Sequence, residues 1–155
     1  MSVGLAKSII DKIAEDLETN GGLAEHFTVK YRRPRAILPM QCPLLVVWLV
    51  RKQPTPLTTE MFDGNVIVGC SWHQATIDEA QQTPTGIAAR NTETGEEMMA
   101  AIGKIEERMR YLAKNGIGLQ ECWEVLPGEV SYVSPEMSQG LTDGYEMAVI
   151  CKVTE

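Results

Sequence analysis

The sequence predicts an α+β domain: a mostly antiparallel β-sheet with two main helices packed on one face. Three observations lead there. Two segments repeat apolar residues at helical spacing, and several others alternate apolar and polar residues as strands do. The elements run helix, three strands, loop, helix, two strands, so the apolar faces of both helices have a single sheet to cover.

Residues 3–17 read as an amphipathic helix. Leu5, Ile9, Ile13 and Leu17 recur every four residues, Ile10 and Ala14 widen the stripe, and Lys7, Asp11, Lys12, Glu15 and Asp16 take the other side. Asn20, Gly21 and Gly22 supply the stop, because both residue types accept the left-handed backbone at a helix end. Phe27, Val29 and Tyr31 then alternate with Thr28, Lys30 and Arg32, a strand with one buried face that Pro34 and Pro39 close. Residues 43–50 are apolar on both faces, as in a central strand covered from both sides. Gln53-Pro54-Thr55-Pro56 is expected to end that ladder, since proline has no N–H to donate. Asp63-Gly64-Asn65 is a turn signal. The strand after it sets Val66, Val68, Cys70 and Trp72 against Ile67, Gly69, Ser71 and His73.

Residues 76–92 are polar, with Gln81, Gln82, Pro84 and Gly86 and little periodicity, and read as a long loop. Loops of that length are commonly functional or mobile, which marks this one as a contact arm. Thr94 and Glu97 match a capping box and predict the start of the second helix. Met98, Ile102, Ile105, Met109 and Leu112 follow at spacings of four, three, four and three, and Lys114, Asn115 and Gly116 end the run. Residues 121–126 lead to a turn at Pro127-Gly128, with Val130, Tyr132 and Val133 extending the pairing beyond it. Asp143-Gly144 opens a last strand, where Tyr145, Met147, Val149, Cys151 and Val153 share one face. With no internal repeat and no linker, residues 1–155 read as a single domain.

A chain of 155 residues with 44% apolar and 23% charged residues has the composition of a globular domain. At that length it buries roughly 70% of its unfolded surface, so a core needs neither disulfide nor metal. The net charge is −7, from 21 acidic and 14 basic residues. A free nucleic-acid-binding domain shows the opposite balance. Acidity fits ordinary solubility, and it also fits a surface past which DNA must slide. Cys42, Cys70, Cys122 and Cys151 lie far apart and no secretory signal is visible, so folding in a reducing cytoplasm is expected. Residues 43–50 are too short to span a bilayer, which takes about 20 residues, and no membrane partner is expected.

Chemistry-bearing patterns are sparse. Cys70 and His73 have metal-like spacing, but residues three apart in a strand point to opposite faces, so thiolate and imidazole diverge. The cysteines are read as buried apolar residues. Only His26 and His73 are available as bases, and there is no G-x-S-x-G elbow and no phosphate-binding glycine loop. Glu121 and Glu124 form an acid/base couple only if they converge; surface carboxylates are more commonly solvated. The expectation is a protein that is not an enzyme, with no cofactor and no metal. Arg32, Arg33, Arg35, Arg51 and Lys52 form the one basic concentration. It reads either as a dock for an acidic partner or phosphate backbone, or as a solvated edge that resists strand-to-strand aggregation. Trp48, Trp72 and Trp123 fall in strands and are assigned to the core; an exposed one among them becomes the best interface anchor.

Taken together, the amphipathic opening from Leu5 to Leu17, the strand at 43–51 after a proline-bearing loop, the strand at 66–73, the helix at 95–116 and the closing Asp143-Gly144-Tyr145-Glu146-Met147-Ala148-Val149-Ile150 resemble the tail-terminator proteins of long-tailed bacteriophages. More loosely they resemble other phage neck proteins. The likeness is one of order and texture across nearly the whole chain, without a signature motif, and carries over no functional residue. It implies a virion protein made in the host cytoplasm that forms a homo-oligomeric ring, typically a hexamer. The ring caps the tail tube, meets the head–tail connector, and lets DNA pass through its lumen without specific binding. In that setting Arg32, Arg33, Arg35, Gln81, Gln82, Thr83 and Arg90 are the candidate interface residues. The competing readings are another neck or minor tail protein, a small enzyme with a deep pocket around a shifted-pKa carboxylate or His, and an adaptor that binds a peptide along an uncharged sheet edge.

Overall fold

The structure is a computed structural model that describes residues 2–23, 26–54, 63–75, 84–133 and 142–154, with the backbone path alone for 2–3 and 84–94. Helix α1 (Ser2–Asn20) precedes strand β1 (Phe27–Tyr31), a short 3-10 turn (Pro39–Gln41), and strands β2 (Leu44–Pro54) and β3 (Asp63–Ala75). Helix α2 (Pro84–Asn115) and strands β4 (Cys122–Val133) and β5 (Thr142–Thr154) complete the described chain. The strands form one sheet in the order β1-β2-β3-β5-β4. Only the β1–β2 pair is parallel, because residues 32–43 carry the chain back to the end of the sheet where β1 began. The other three pairs are antiparallel. This is the expected α+β architecture.

Strand alternation decides which side chains meet the helices. Leu45 and Val47 of β2, Val66, Val68, Cys70 and Trp72 of β3, and Met147, Val149, Cys151 and Val153 of β5 point to one face. There they meet Leu5, Ile9, Ile13 and Leu17 of α1 and Ile102, Ile105, Met109 and Leu112 of α2. On the opposite face Leu44, Val46 and Trp48 form a second, smaller cluster with Ile37. Strand β2 is thus apolar on both sides because it has two covers, the helices and the 32–43 segment. The helices are also tied to each other: Arg108 Nε and Nη2 donate to the two carboxylate oxygens of Asp16 at 2.9 and 2.7 Å. The turn into β4 follows a glycine stop, as expected, with Gly116 at φ 87° and its N–H donating to Leu112 O at 2.8 Å.

Several sequence expectations need correction. The long loop placed at 76–92 is helix from Pro84 onward, and the rest of that span, residues 76–83, lies outside the described residues. Pro84 occupies the first helical position, where proline's missing N–H is no loss. Thr94 and Glu97 therefore sit inside α2, ten or more residues past its start, and Glu97 Oε2 accepts a bond from Gln74 Nε2 at 2.8 Å. The ladder between β2 and β3 runs through Gln53–Asn65 to Pro54–Gly64, so the proline terminates pairing one step later than expected and Asp63-Gly64-Asn65 is strand. Pro127-Gly128 is a shift of register inside one continuous edge strand, where a proline and a bulge are both tolerated.

Candidate assembly interface

The two ends of the sheet order are β1 and β4, and no described strand pairs outward of either. Strand β4 changes register between Cys122 and Glu124, which leaves Trp123 without a cross-strand partner. Its side chain is 62% exposed, unlike the buried Trp48 and Trp72. The assignment of all three tryptophans to the core is thus corrected for Trp123: the bulge turns it out of the alternation. Leu126 and Tyr132 are exposed further along the same strand. Lys152 lies 5.6 Å from the centre of the Trp123 ring and 3.3 Å from Glu124, so Glu124 is engaged in an ion pair. Glu129 stands exposed on β4 and Glu121 just before it.

The opposite edge has a different chemistry. Phe27 is 63% exposed where β1 begins, and Lys30, Arg32 and Arg35 are exposed near and beyond the other end of the strand. Tyr31 adopts a left-handed backbone at φ 76°, which an ordinary residue occupies only when its surroundings hold it. Here the Tyr31 hydroxyl donates to Asp11 of α1, and Lys7 and Lys30 reach the same carboxylate at 2.9 and 3.2 Å. The Tyr31 hydroxyl, and then Lys7, hold the Asp11 carboxyl down to a pKa of about 2.

Of the candidate residues, the structure brings Arg32, Arg33 and Arg35 to the corner where β1 ends. Arg33 is committed within its own chain: Nη2 lies 2.7 Å from Glu146 Oε2 and the guanidinium stacks 5.0 Å from the centre of the Trp48 ring. Arg90 lies in the first turns of α2, away from the loop in which it was placed. Gln81, Gln82 and Thr83 lie outside the described residues. The helix-free face of the sheet holds a groove of about 430 Å³ between Arg33 and Trp48 on one side and Glu129 and Ser131 on the other, floored by Gly69 and Ala148. Gly69 is required there, since a Cβ would stand 2.3 Å from the Trp48 ring.

Buried polar groups on that face were not flagged as a pair by the sequence. Ser71 Oγ and His73 Nε2 share a hydrogen bond of 2.8 Å, with both residues almost fully buried. Burial, and then the nearby Arg33 charge, hold the His73 pKa down to about 4, so the ring is neutral at pH 7. Neither residue lines the groove. Cys70 faces the helices, on the other side of β3 from His73, as strand alternation requires. Burial raises the Cys70 thiol to about 12 and the Cys42 thiol to about 11, which keeps both protonated. Among the described residues no group of three or more His, Cys, Asp or Glu side chains is placed to hold a metal, and no helix is long and apolar enough to cross a membrane.

These features define a class: a mixed-sheet α+β domain whose helices cover one face and whose two sheet edges carry unlike exposed side chains. In comparisons with known proteins, no family model matches the chain and no curated protein is significantly similar to it.

Proposed function

We propose that the protein is a non-catalytic virion subunit that closes into a homo-oligomeric ring, a tail terminator that caps the tail tube and meets the head connector. The observation that carries this reading is the pair of unlike sheet edges, one bearing Phe27 and the other Trp123, each more than half exposed. A contact between two different surfaces of the same chain repeats head to tail, and closes into a ring when the rotation permits. Exposed aromatic residues are the usual anchors of such contacts. The net charge of −7 supports a lumen that lets DNA pass without holding it. The resemblance of its element order to that of tail terminators supports the assignment within the ring-forming class.

Negative-stain imaging of the purified protein, alone and mixed with tail tubes, tests the proposal. Closed particles with a central hole that also dock on one end of a tube are the expected result. Free single subunits that leave both tube ends bare would refute it.

A further inference from the structure

The ring reading leaves open which surfaces meet, and the charges on the two edges choose between the possibilities. We propose, resting on that reading, that neighbouring copies join edge to edge. The outer edge of β4 in one copy, with Trp123, Glu121 and Glu129, seats against the outer edge of β1 in the next, with Phe27, Arg32 and Arg35. The occupant of each edge is therefore a second copy of this chain.

Three pairings are available to two edges. A two-fold contact of β4 with β4 sets the exposed Glu121 and Glu129 of one copy near those of the other, with no basic residue exposed on β4 itself to offset them. A two-fold contact of β1 with β1 does the same with Arg32 and Arg35, across a strand of only five residues, while Lys30 is held by Asp11 of its own chain. Like charges at a sheet edge are a common device against such self-pairing. Only the mixed contact sets the acidic edge against the basic one, which fixes partner and orientation together. Arg33 is held by Glu146 and Trp48, so the two arginines on either side of it are the ones available to a neighbour.

Strand direction agrees with this choice. Strand β1 runs with β2, and the three antiparallel steps β2–β3, β3–β5 and β5–β4 leave β4 running opposite to β1. Copies arranged with their helices on the same side of a continuing sheet therefore meet as an antiparallel β4–β1 junction. The outward N–H and C=O groups of both strands can pair there, as in strand addition. A contact of this kind uses one edge of each kind per junction, and so every copy has two neighbours.

Charge reversal tests the pairing, read as native mass at matched concentration. One chain carries Glu121→Arg and Glu129→Arg, a second carries Arg32→Glu and Arg35→Glu, and a third carries all four and keeps the wild-type net charge. All four positions are exposed, and circular dichroism with thermal unfolding checks that each variant folds. The first two are expected to self-associate roughly thirtyfold more weakly than wild type, and the third to recover rings of wild-type mass. Trp123→Ala is expected to weaken association without changing secondary structure. Wild-type rings from the first two chains, or no recovery in the third, would overturn the β4–β1 contact and leave ring formation standing. Wild-type protein that stays monomeric at every concentration would remove both.

Discussion

Trp48 lies flat across Gly69 on the neighbouring strand, and the space it occupies is the space a side chain at 69 would need. Gly69→Ala therefore forces the indole and its Arg33 partner to move, and is expected to cost about 1–3 kcal/mol of stability, as overpacked sites do. Urea unfolding followed by tryptophan fluorescence measures both the lower midpoint and the altered Trp48 environment. His73 makes a second prediction at this scale. Its folded pKa of about 4 lies below the ordinary 6.5, so between those values the unfolded chain binds the proton more readily. Stability is then complete above pH 6.5 and falls as the pH drops toward 4, by about 2 kcal/mol between pH 6.5 and 5. His73→Gln removes that contribution, and the difference between the urea midpoints of wild type and variant at pH 7 and pH 5 reports it. If both chains lose the same stability over that interval, His73 is not the group that titrates. Some single-residue features were legible in the sequence and others were not. The divergence of Cys70 and His73 follows from strand period alone. The exposure of Trp123 depends on a one-residue register shift that no local pattern encodes. The Arg33 contacts with Glu146 and Trp48 join residues far apart in sequence, and pairing of that kind leaves no periodic trace.

At the scale of elements, stability concentrates where α1, α2 and the sheet meet. The Arg108–Asp16 fork is the polar link between the helices, and both side chains are largely shielded from water. Arg108→Ala removes two charge-assisted bonds and the stacking of the guanidinium 4.2 Å from the Tyr111 ring. A loss on the order of 1–3 kcal/mol is expected, measured as a reduced unfolding midpoint with an unchanged slope. The apolar stripes of α1 and of 98–112 in α2 were readable because burial imposes their spacing, and those residues form the core. The first turns of α2 were not. Residues 84–92 show polar, aperiodic sequence in which two features, a proline and a glycine, also serve as loop signals. In the fold that proline stands at a helix start. Pro127-Gly128 misled in the same way, because a bulge in an edge strand uses the same residues as a turn. Local chemistry specified these residues; their pairing partners specified which structure they made.

For the whole molecule, the fold class followed from element order and from the number of apolar faces needing cover. The proposed assembly follows from neither. Its argument rests on the chemistry of two edges, with acidic residues and Trp123 along one and basic residues and Phe27 along the other. Because those charges are exposed, their contribution is screened by salt over a Debye length of about 8–10 Å at ordinary ionic strength. The proposed ring is accordingly expected to loosen as salt rises, whereas a contact made by the aromatic residues alone would hold or tighten. The most direct measurement is sedimentation velocity of the wild-type protein across a wide concentration range at low and high salt. One species of fixed subunit number, growing with concentration and shifting toward single subunits at high salt, is the result expected of a closed ring held by complementary edges. A single subunit at every concentration and salt would contradict the account at its centre.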